Sequence, residues 1–103
     1  METVRSPDIV FSLAGRDRGR AYVVLGTDGG TARLSDGRTR KLANPKRKSL
    51  KHLCLGETGA TALAEALRAG KATDSVIRKE LARFRGEAGM TEEVRQLVKR
   101  RRY

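Results

Sequence analysis

The chain contains 103 residues, of which 38% are hydrophobic and only 4% are aromatic. Twenty-three Lys and Arg residues outnumber twelve Asp and Glu residues, which gives a formal net charge of +11 at pH 7. This length allows one domain, or a small domain with an extension, around a small aliphatic core. So large a positive charge favours a polyanionic partner, with nucleic acid as the first candidate and an anionic membrane surface as the second.

The first residues and the thiol content bear on the cellular compartment. The segment METVRSPDIV has no apolar stretch of the kind that forms a signal peptide. No apolar run approaches the roughly 20 residues that a membrane-spanning helix needs. The single cysteine, Cys54, cannot form an internal disulfide, which suits a reducing compartment. We therefore expect a cytoplasmic protein without a membrane segment, and we also expect a monomer.

The first half of the chain has the composition of short β-strands separated by turns. The five predicted strands are residues 8–13, 20–26, 31–35, 38–42 and 50–55. The Asp36-Gly37 pair predicts a tight hairpin between the third and fourth strands, and the basic segment NPKRKS (44–49) is interpreted as a connection. A sheet this small must bury one face by curling on itself, which predicts a small SH3-like β-barrel.

The second half has helical patterning. Helices are predicted over 57–70, with Gly70 as the stop, and over 73–86, with Thr73 as the N-cap and Gly86 as the end. A third helix is expected after Thr91. The predicted fold is therefore α+β, with a barrel over residues 1–56 and a helical extension with a basic tail over residues 57–103.

The residues that catalyse reactions or bind metals are scarce. The one histidine and the one cysteine, His52 and Cys54, are two positions apart and would point the same way on a strand. Two neighbours on one strand face explain this pair better than a catalytic dyad does. A metal site needs more His or Cys than the chain has, and GRDRGR lacks the Lys-Ser/Thr of a phosphate-binding loop. We expect no enzymatic activity, no metal and no cofactor.

Basic residues, in contrast, form clusters in the first half. Residues 16–52 contain eleven Lys and Arg residues against three acids. One guanidinium group can donate two hydrogen bonds to the oxygens of a phosphate. Glycine has no side chain, so its backbone can approach a ligand closely. A solvated basic loop is the alternative for any single residue, but several clusters on one small barrel favour RNA or DNA binding. The predicted nucleic-acid-binding residues are Arg16, Arg18, Gly19, Arg20, Arg38, Arg40, Lys41, Lys46, Arg47, Lys48, Lys51 and His52.

Two further expectations concern how the nucleic acid would be held. Tyr22 is the only aromatic residue near the basic turn at 15–20, so contacts with the backbone should dominate over contacts with bases. The run from Lys99 to Arg102 ends the third predicted helix. It is interpreted either as a solvated helix end or as an auxiliary RNA-binding tail of Lys99, Arg100, Arg101 and Arg102.

The segment DIVFSLAGRDRGRAYVVLG resembles a KOW motif, with Gly19 at the position of the motif's glycine. With DGRTRKL and NPKRKSLKHL, the chain is similar over about residues 4–55 to small bacterial KOW-domain RNA-binding proteins. These in turn resemble the L-fourteen-e group of large-subunit ribosomal proteins. TDSVIRKELARF is also similar to the helical extension of the bacterial members, whereas the Lys99–Arg102 tail departs from the pattern.

The resemblance implies an SH3-like barrel that binds RNA, most naturally ribosomal RNA, through the turn that carries Arg16, Arg18 and Arg20. The leading hypothesis is a non-enzymatic RNA-binding protein associated with the ribosome or with its assembly, which could also contact ribosomal proteins. The competing hypothesis is a protein–protein adaptor of the transcription or translation machinery, which would dock a partner through its apolar helices.

Overall fold

The computed structural model describes residues 4–87 and 90–100, with only the backbone of Gly86 and Glu87. Within these ranges the chain forms a five-stranded antiparallel sheet and three α-helices, which confirms the α+β prediction. The strands are β1 (Ile9–Ser12), β2 (Ala21–Asp28), β3 (Thr31–Ser35), β4 (Lys46–Ser49) and β5 (Leu53–Glu57). The helices are α1 (Thr61–Arg68), α2 (Asp74–Glu87) and α3 (Glu92–Arg100).

The strand order in the sheet is β4-β3-β2-β1-β5, so β4 and β5 form the two edges. Three antiparallel pairs connect β1 to β4 in sequence, and β5 returns to pair with β1. Across the residues that the structure describes, no ladder of hydrogen bonds joins β4 to β5. The hydrogen-bonded sheet is therefore open.

The two faces of the sheet are buried by different parts of the chain. We call the face that carries Val10, Tyr22 and Leu34 the inner face; its apolar cluster comes from strand residues, with Val4 and Leu50 at the margin. We call the opposite face, which carries Ile9, Phe11, Ala21 and Val23, the outer face. The outer face packs against helix residues Leu63, Ile77, Leu81, Phe84 and Val94.

The alternation of side chains along β1 and β2 explains both clusters. Ile9 pairs with Val23, and Val10 pairs with Tyr22, so successive residues point to opposite faces. Phe11 meets Phe84 of α2 with a ring-centroid distance of 5.7 Å. The helices and the sheet thus share one core, and the division of the chain at residue 56 stays a prediction.

The helix ends follow the signals in the sequence. The Oγ1 atoms of Thr73 and Thr91 accept the backbone N–H groups of Val76 and Val94, at 3.2 and 3.3 Å. Gly70 has a φ of +70° just after α1, where the N–H of the following residue reaches back across the last helical turn. Two predicted bounds are wrong: α1 begins at Thr61 and not at residue 57, which still belongs to β5, and α2 continues past position 86 to Glu87.

The predicted fourth strand is wrong. Residues 38–42 form an irregular loop, and β4 is instead Lys46–Ser49, inside the segment interpreted as a connection. The predicted Asp-Gly hairpin is also wrong, because the Asp36 carboxylate accepts the N–H groups of Arg38 and Arg40, both at 2.9 Å. A side chain that caps its own loop competes with strand pairing.

The predicted fifth strand is correct only in its second half. Leu50–His52 form a 3₁₀ turn, and β5 starts at Leu53. His52 therefore lies before the strand and does not share a strand face with Cys54. Its carbonyl oxygen accepts the N–H of Leu13 at 2.8 Å. This bond holds the 3₁₀ turn beside the end of β1.

None of the three described helices combines the length and the apolar composition that crossing a membrane requires.

Candidate nucleic-acid interface

Residues 15–20, which we call the arginine turn, connect β1 to β2 in a tight backbone conformation. Gly15 and Gly19 have φ values of +80° and +86°, a region that glycine adopts without strain. The N–H of Gly19 donates to the carbonyl oxygen of Ser12 at 2.8 Å, and the N–H of Ser12 donates to that of Arg20 at 3.0 Å. The requirement for glycine at position 19, expected from the sequence, thus has a backbone cause.

A buried carboxylate braces the arginine turn from inside. Asp17 is 8% exposed and accepts hydrogen bonds from Ser12 Oγ at 2.8 Å, Tyr22 OH at 3.1 Å and Lys48 Nζ at 2.9 Å. Lys46 Nζ lies 3.4 Å from Asp17 Oδ2, the carboxylate oxygen that also accepts from Tyr22. We call these five residues the Asp17 cluster. All three hydrogen-bond donors lie outside residues 15–20, so Asp17 ties the turn to β1, β2 and β4.

The cluster fixes the charge of its members at neutral pH. Burial acts to raise the pKa of Asp17, but the hydrogen bonds and charge of Lys48, with those of Ser12 and Tyr22, outweigh it and lower the pKa to about 2. Burial, together with the negative charge of Asp17, raises the pKa of Tyr22 far above its ordinary value. Asp17 is therefore a carboxylate and Tyr22 a neutral donor over the physiological range.

The two lysines of the cluster reach it from the far edge of the sheet. Lys46 and Lys48 lie opposite Leu34 and Ala32 in the β3–β4 pairing and so point to the inner face. Lys48 Nζ also donates to the carbonyl oxygen of Ala14 at 3.0 Å, and its side chain is only 10% exposed. Both lysines were predicted to bind nucleic acid, and that role stays a prediction. In the structure, their ammonium groups point inward to Asp17.

The arginines of the turn, in contrast, point to solvent. Arg16, Arg18 and Arg20 are exposed, on either side of the inward Asp17 and the half-buried Gly19. Within the described residues their guanidinium groups make no hydrogen bond and no ion pair. Three positive charges thus stand on a backbone that is held rigidly from below, and they remain available to a ligand.

The structure brings a second set of predicted residues to the same end of the sheet. Ser35 lies opposite Val23 and Lys46 lies opposite Leu34, so the β3–β4 loop emerges beside the arginine turn. The predicted residues carried by this loop are Arg38, Arg40 and Lys41. Arg38 and Lys41 are exposed, and Arg40 is partly buried.

Helix α2 holds the β3–β4 loop in place, a role that the sequence did not reveal. The carboxylate of Asp74 accepts the N–H of Leu42, and Arg78 Nη1 donates to the carbonyl oxygen of Gly37, both at 2.8 Å. A Cβ atom at Gly37 would overlap the Asp74 carbonyl oxygen. The sequence also did not identify Ser12 and Tyr22 as hydrogen-bond partners of Asp17. Each of them looks like an ordinary strand residue, and only the fold brings it to Asp17.

The remaining predicted residues lie in three places. Lys51 is exposed and His52 half-buried in the 3₁₀ turn that contacts Leu13. Arg47 is exposed on the face of β4 opposite to that of its two lysine neighbours. Arg101 and Arg102 lie outside the described residues.

Helix α3 brings its basic end to the arginine turn. A Cβ atom at Gly19 would lie 3.5 Å from Val98 Cγ1 and 4.0 Å from the end of the Met90 side chain. Lys99 and Arg100, which follow Val98 directly, are exposed. The contact between Gly19 and Val98 therefore places the start of the basic tail close to the arginine turn.

Among residues 4–87 and 90–100, no group of three or more His, Cys, Asp or Glu side chains could hold a metal ion. Comparison of the chain with protein-family models and with curated proteins gives no match in either set.

Proposed function

We propose that this protein is a non-enzymatic RNA-binding protein that contacts RNA through the arginine turn and the adjacent β3–β4 loop. The observation that carries the proposal is the contrast inside the turn. Asp17 is buried and fully hydrogen-bonded, while Arg16, Arg18 and Arg20 are exposed and without partners among the described residues. A turn that is ordered before binding loses little entropy when it binds, which favours affinity.

The ligand that best matches this surface is the phosphate backbone of RNA. Arginine binds phosphate oxygens through two parallel N–H donors. Base reading on single strands commonly uses aromatic stacking, but the three aromatic residues that the structure describes, Phe11, Tyr22 and Phe84, are all buried, and the Tyr22 hydroxyl is bound to Asp17. We infer that backbone contacts dominate. The resemblance to KOW-domain proteins favours ribosomal RNA, with a cytoplasmic monomer acting on the ribosome or its assembly.

We further propose that the sheet curls into an SH3-like barrel. The inner face buries Val10, Val24, Ala32 and Leu34 completely without a helix residue in its cluster. A sheet can bury such a face by bending over it. The reach of Lys48 from the β4 edge to Ala14 and Asp17 after β1 supports the same curvature.

The test is a triple substitution of the arginine turn, Arg16→Gln, Arg18→Gln and Arg20→Gln. The control is Arg68→Gln, Lys71→Gln and Arg85→Gln, which removes three exposed charges from the helices and the segment after α1. Affinity for a ribosomal RNA fragment is measured across a salt series. We expect the turn variant to bind more weakly with a nearly unchanged Tm, and its log–log salt slope to be shallower by about 0.7–0.9 for each phosphate that is no longer neutralised.

Two results would overturn the proposal. Equal affinities for the turn variant and the control variant would show that the turn does not contact RNA. Association of the wild-type protein with a protein partner that survives nuclease treatment, together with no RNA binding, would favour the adaptor hypothesis instead.

A further inference from the structure

Two arginines face each other on the part of the outer face formed by β3 and β4. Arg33 and Arg47 are directly opposite in the antiparallel register, and both are exposed. Their strand neighbours Ala32, Leu34, Lys46 and Lys48 point to the inner face. The alternation therefore places both arginine side chains on the outer face.

This pairing is unfavourable by itself. Side chains directly opposite in an antiparallel pair have Cβ atoms about 5 Å apart, and like charges in that position are destabilising. Neither guanidinium group forms an ion pair or a hydrogen bond with any other described residue. The fold thus keeps two uncompensated positive charges next to each other on adjacent strands.

The neighbouring strand leaves room for one of them. Gly26 lies opposite Arg33 at an irregularity in the β2–β3 register. A Cβ atom at Gly26 would overlap Nη2 of Arg33 and would lie 3.2 Å from its Cζ. Glycine weakens a strand interior, and its presence there often marks a close approach by another group. The Arg33 guanidinium therefore lies across β2 on the bare backbone of Gly26.

The helices leave this part of the outer face uncovered. They pack over Ala21 and Val23 of β2, which are 4% and 0% exposed, whereas Arg33 is exposed. Arg33 lies two residues before Ser35, the last residue of β3, and a strand rises by about 3.4 Å per residue. The arginine pair is thus close to the end of the sheet from which the arginine turn and the β3–β4 loop emerge.

We propose that Arg33 and Arg47 form a second phosphate-binding site, which contacts the backbone of the RNA held at the arginine turn. This inference rests on the proposed function and adds to it a site on a different face, including a residue that the sequence analysis did not select. The bound phosphates relieve the repulsion between the two guanidinium groups. The pair adds to affinity without adding preference for a base sequence.

The experiment uses the full chain and compares three variants: Arg33→Gln, Arg47→Gln and the double variant. The control is Arg68→Gln with Arg85→Gln, which removes the same charge from exposed helix positions. Affinity for one RNA hairpin is measured across a salt series. We expect the double variant to bind at least about tenfold more weakly than the control, with a salt slope shallower by about 0.7–0.9 for each arginine removed.

Thermal unfolding provides a readout that does not need RNA. At low salt the single variants should have a Tm equal to or above that of the wild type, since repulsion is removed. Inorganic phosphate should raise the Tm of the wild type more than that of the double variant. The variant Arg33→Lys with Arg47→Lys keeps the charge but loses the two-pronged donor geometry, and it should bind RNA with intermediate affinity.

The outcomes separate the two proposals. If the wild type binds RNA and the double variant matches the control, the second site is overturned and the proposed function stands. If the double variant aggregates but keeps its RNA affinity, the pair only protects the β4 edge from pairing with other chains, which also overturns the site. If the wild type binds no RNA, the proposed function fails, and with it the RNA-binding role of the pair.

Discussion

The arginine turn and β4 both carry closely spaced positive charges, but the fold uses these charges in opposite ways. In the turn, Arg16, Arg18 and Arg20 alternate with inward residues and reach solvent. In β4, Lys46 and Lys48 reach inward to one carboxylate, and Arg47 is the one charged residue of the strand that faces out. The comparison shows that a count of basic residues overstates the surface that a polyanion can reach, since some cations brace the backbone that presents the others.

The largest expected effect comes from removing the carboxylate that joins the two regions. Asp17→Asn leaves the Lys48 ammonium, with a side chain 10% exposed, without a charged partner. Losing one member of a buried pair costs about 3 kcal/mol of unfolding free energy, measured by chemical denaturation. The matched control is Asp28→Asn, which changes an exposed acid at the end of β2 and should cost little. Equal losses in the two variants would contradict the bracing role.

A pH titration sharpens the same comparison. The pKa of Asp17 is lowered from 3.8 to about 2 in the folded chain. Its contribution to stability is therefore complete above pH 4–5 and is lost as the pH falls through 3.8 towards 2. The difference between the two pKa values corresponds to about 2 kcal/mol of unfolding free energy. Unfolding free energies between pH 6 and pH 2 should fall more steeply for the wild type than for Asp17→Asn, and parallel curves would contradict the cluster.

The smallest expected effect is a difference between two glycine variants, and it tests the helix that packs on the turn. Gly19→Val and Gly29→Val both force a β-branched residue to a positive φ, of +86° and +64° respectively, at a cost on the order of 1–3 kcal/mol. Only Gly19 has Val98 beside it, because Gly29 has nothing within 4 Å of its Cβ position. Gly19→Val should therefore lose more stability, and the amide hydrogens of α3 should exchange faster in that variant alone. Equal exchange in the two variants would show that α3 does not depend on Gly19.

The sequence predicts the parts of the fold that local patterns control. Apolar residues identify β1 to β3, and Thr73 and Thr91 cap the second and third helices as expected. Strand β4 escapes prediction because its residues are Lys, Arg, Lys and Ser, and its inward side chains are lysines. A lysine can point inward only where a carboxylate from another part of the chain meets it, and that partner is about 30 residues away.

The site shows the same limit. The exposure of the arginine turn and the positive φ of Gly19 follow from the residues of the turn itself. The conformation of the β3–β4 loop does not, because Asp36 can support either a hairpin or a capped loop. Contacts of this loop with Asp74 and Arg78 of α2 accompany the capped form. Such contacts depend on tertiary packing, which short-range patterns do not contain.

The pairing of β5 with β1 has a consequence for how the chain folds during synthesis. Ile9 and Glu57 are partners although roughly 50 positions separate them, and contacts at such separation form slowly because a long loop must close first. The hairpins β1–β2 and β2–β3 are local and can form early. During synthesis, one edge of β1 therefore stays unpaired until β5 has emerged from the ribosome. The apolar side chains of Ile9 and Phe11 stay uncovered for longer, because Phe84, which packs against Phe11, is synthesised after β5.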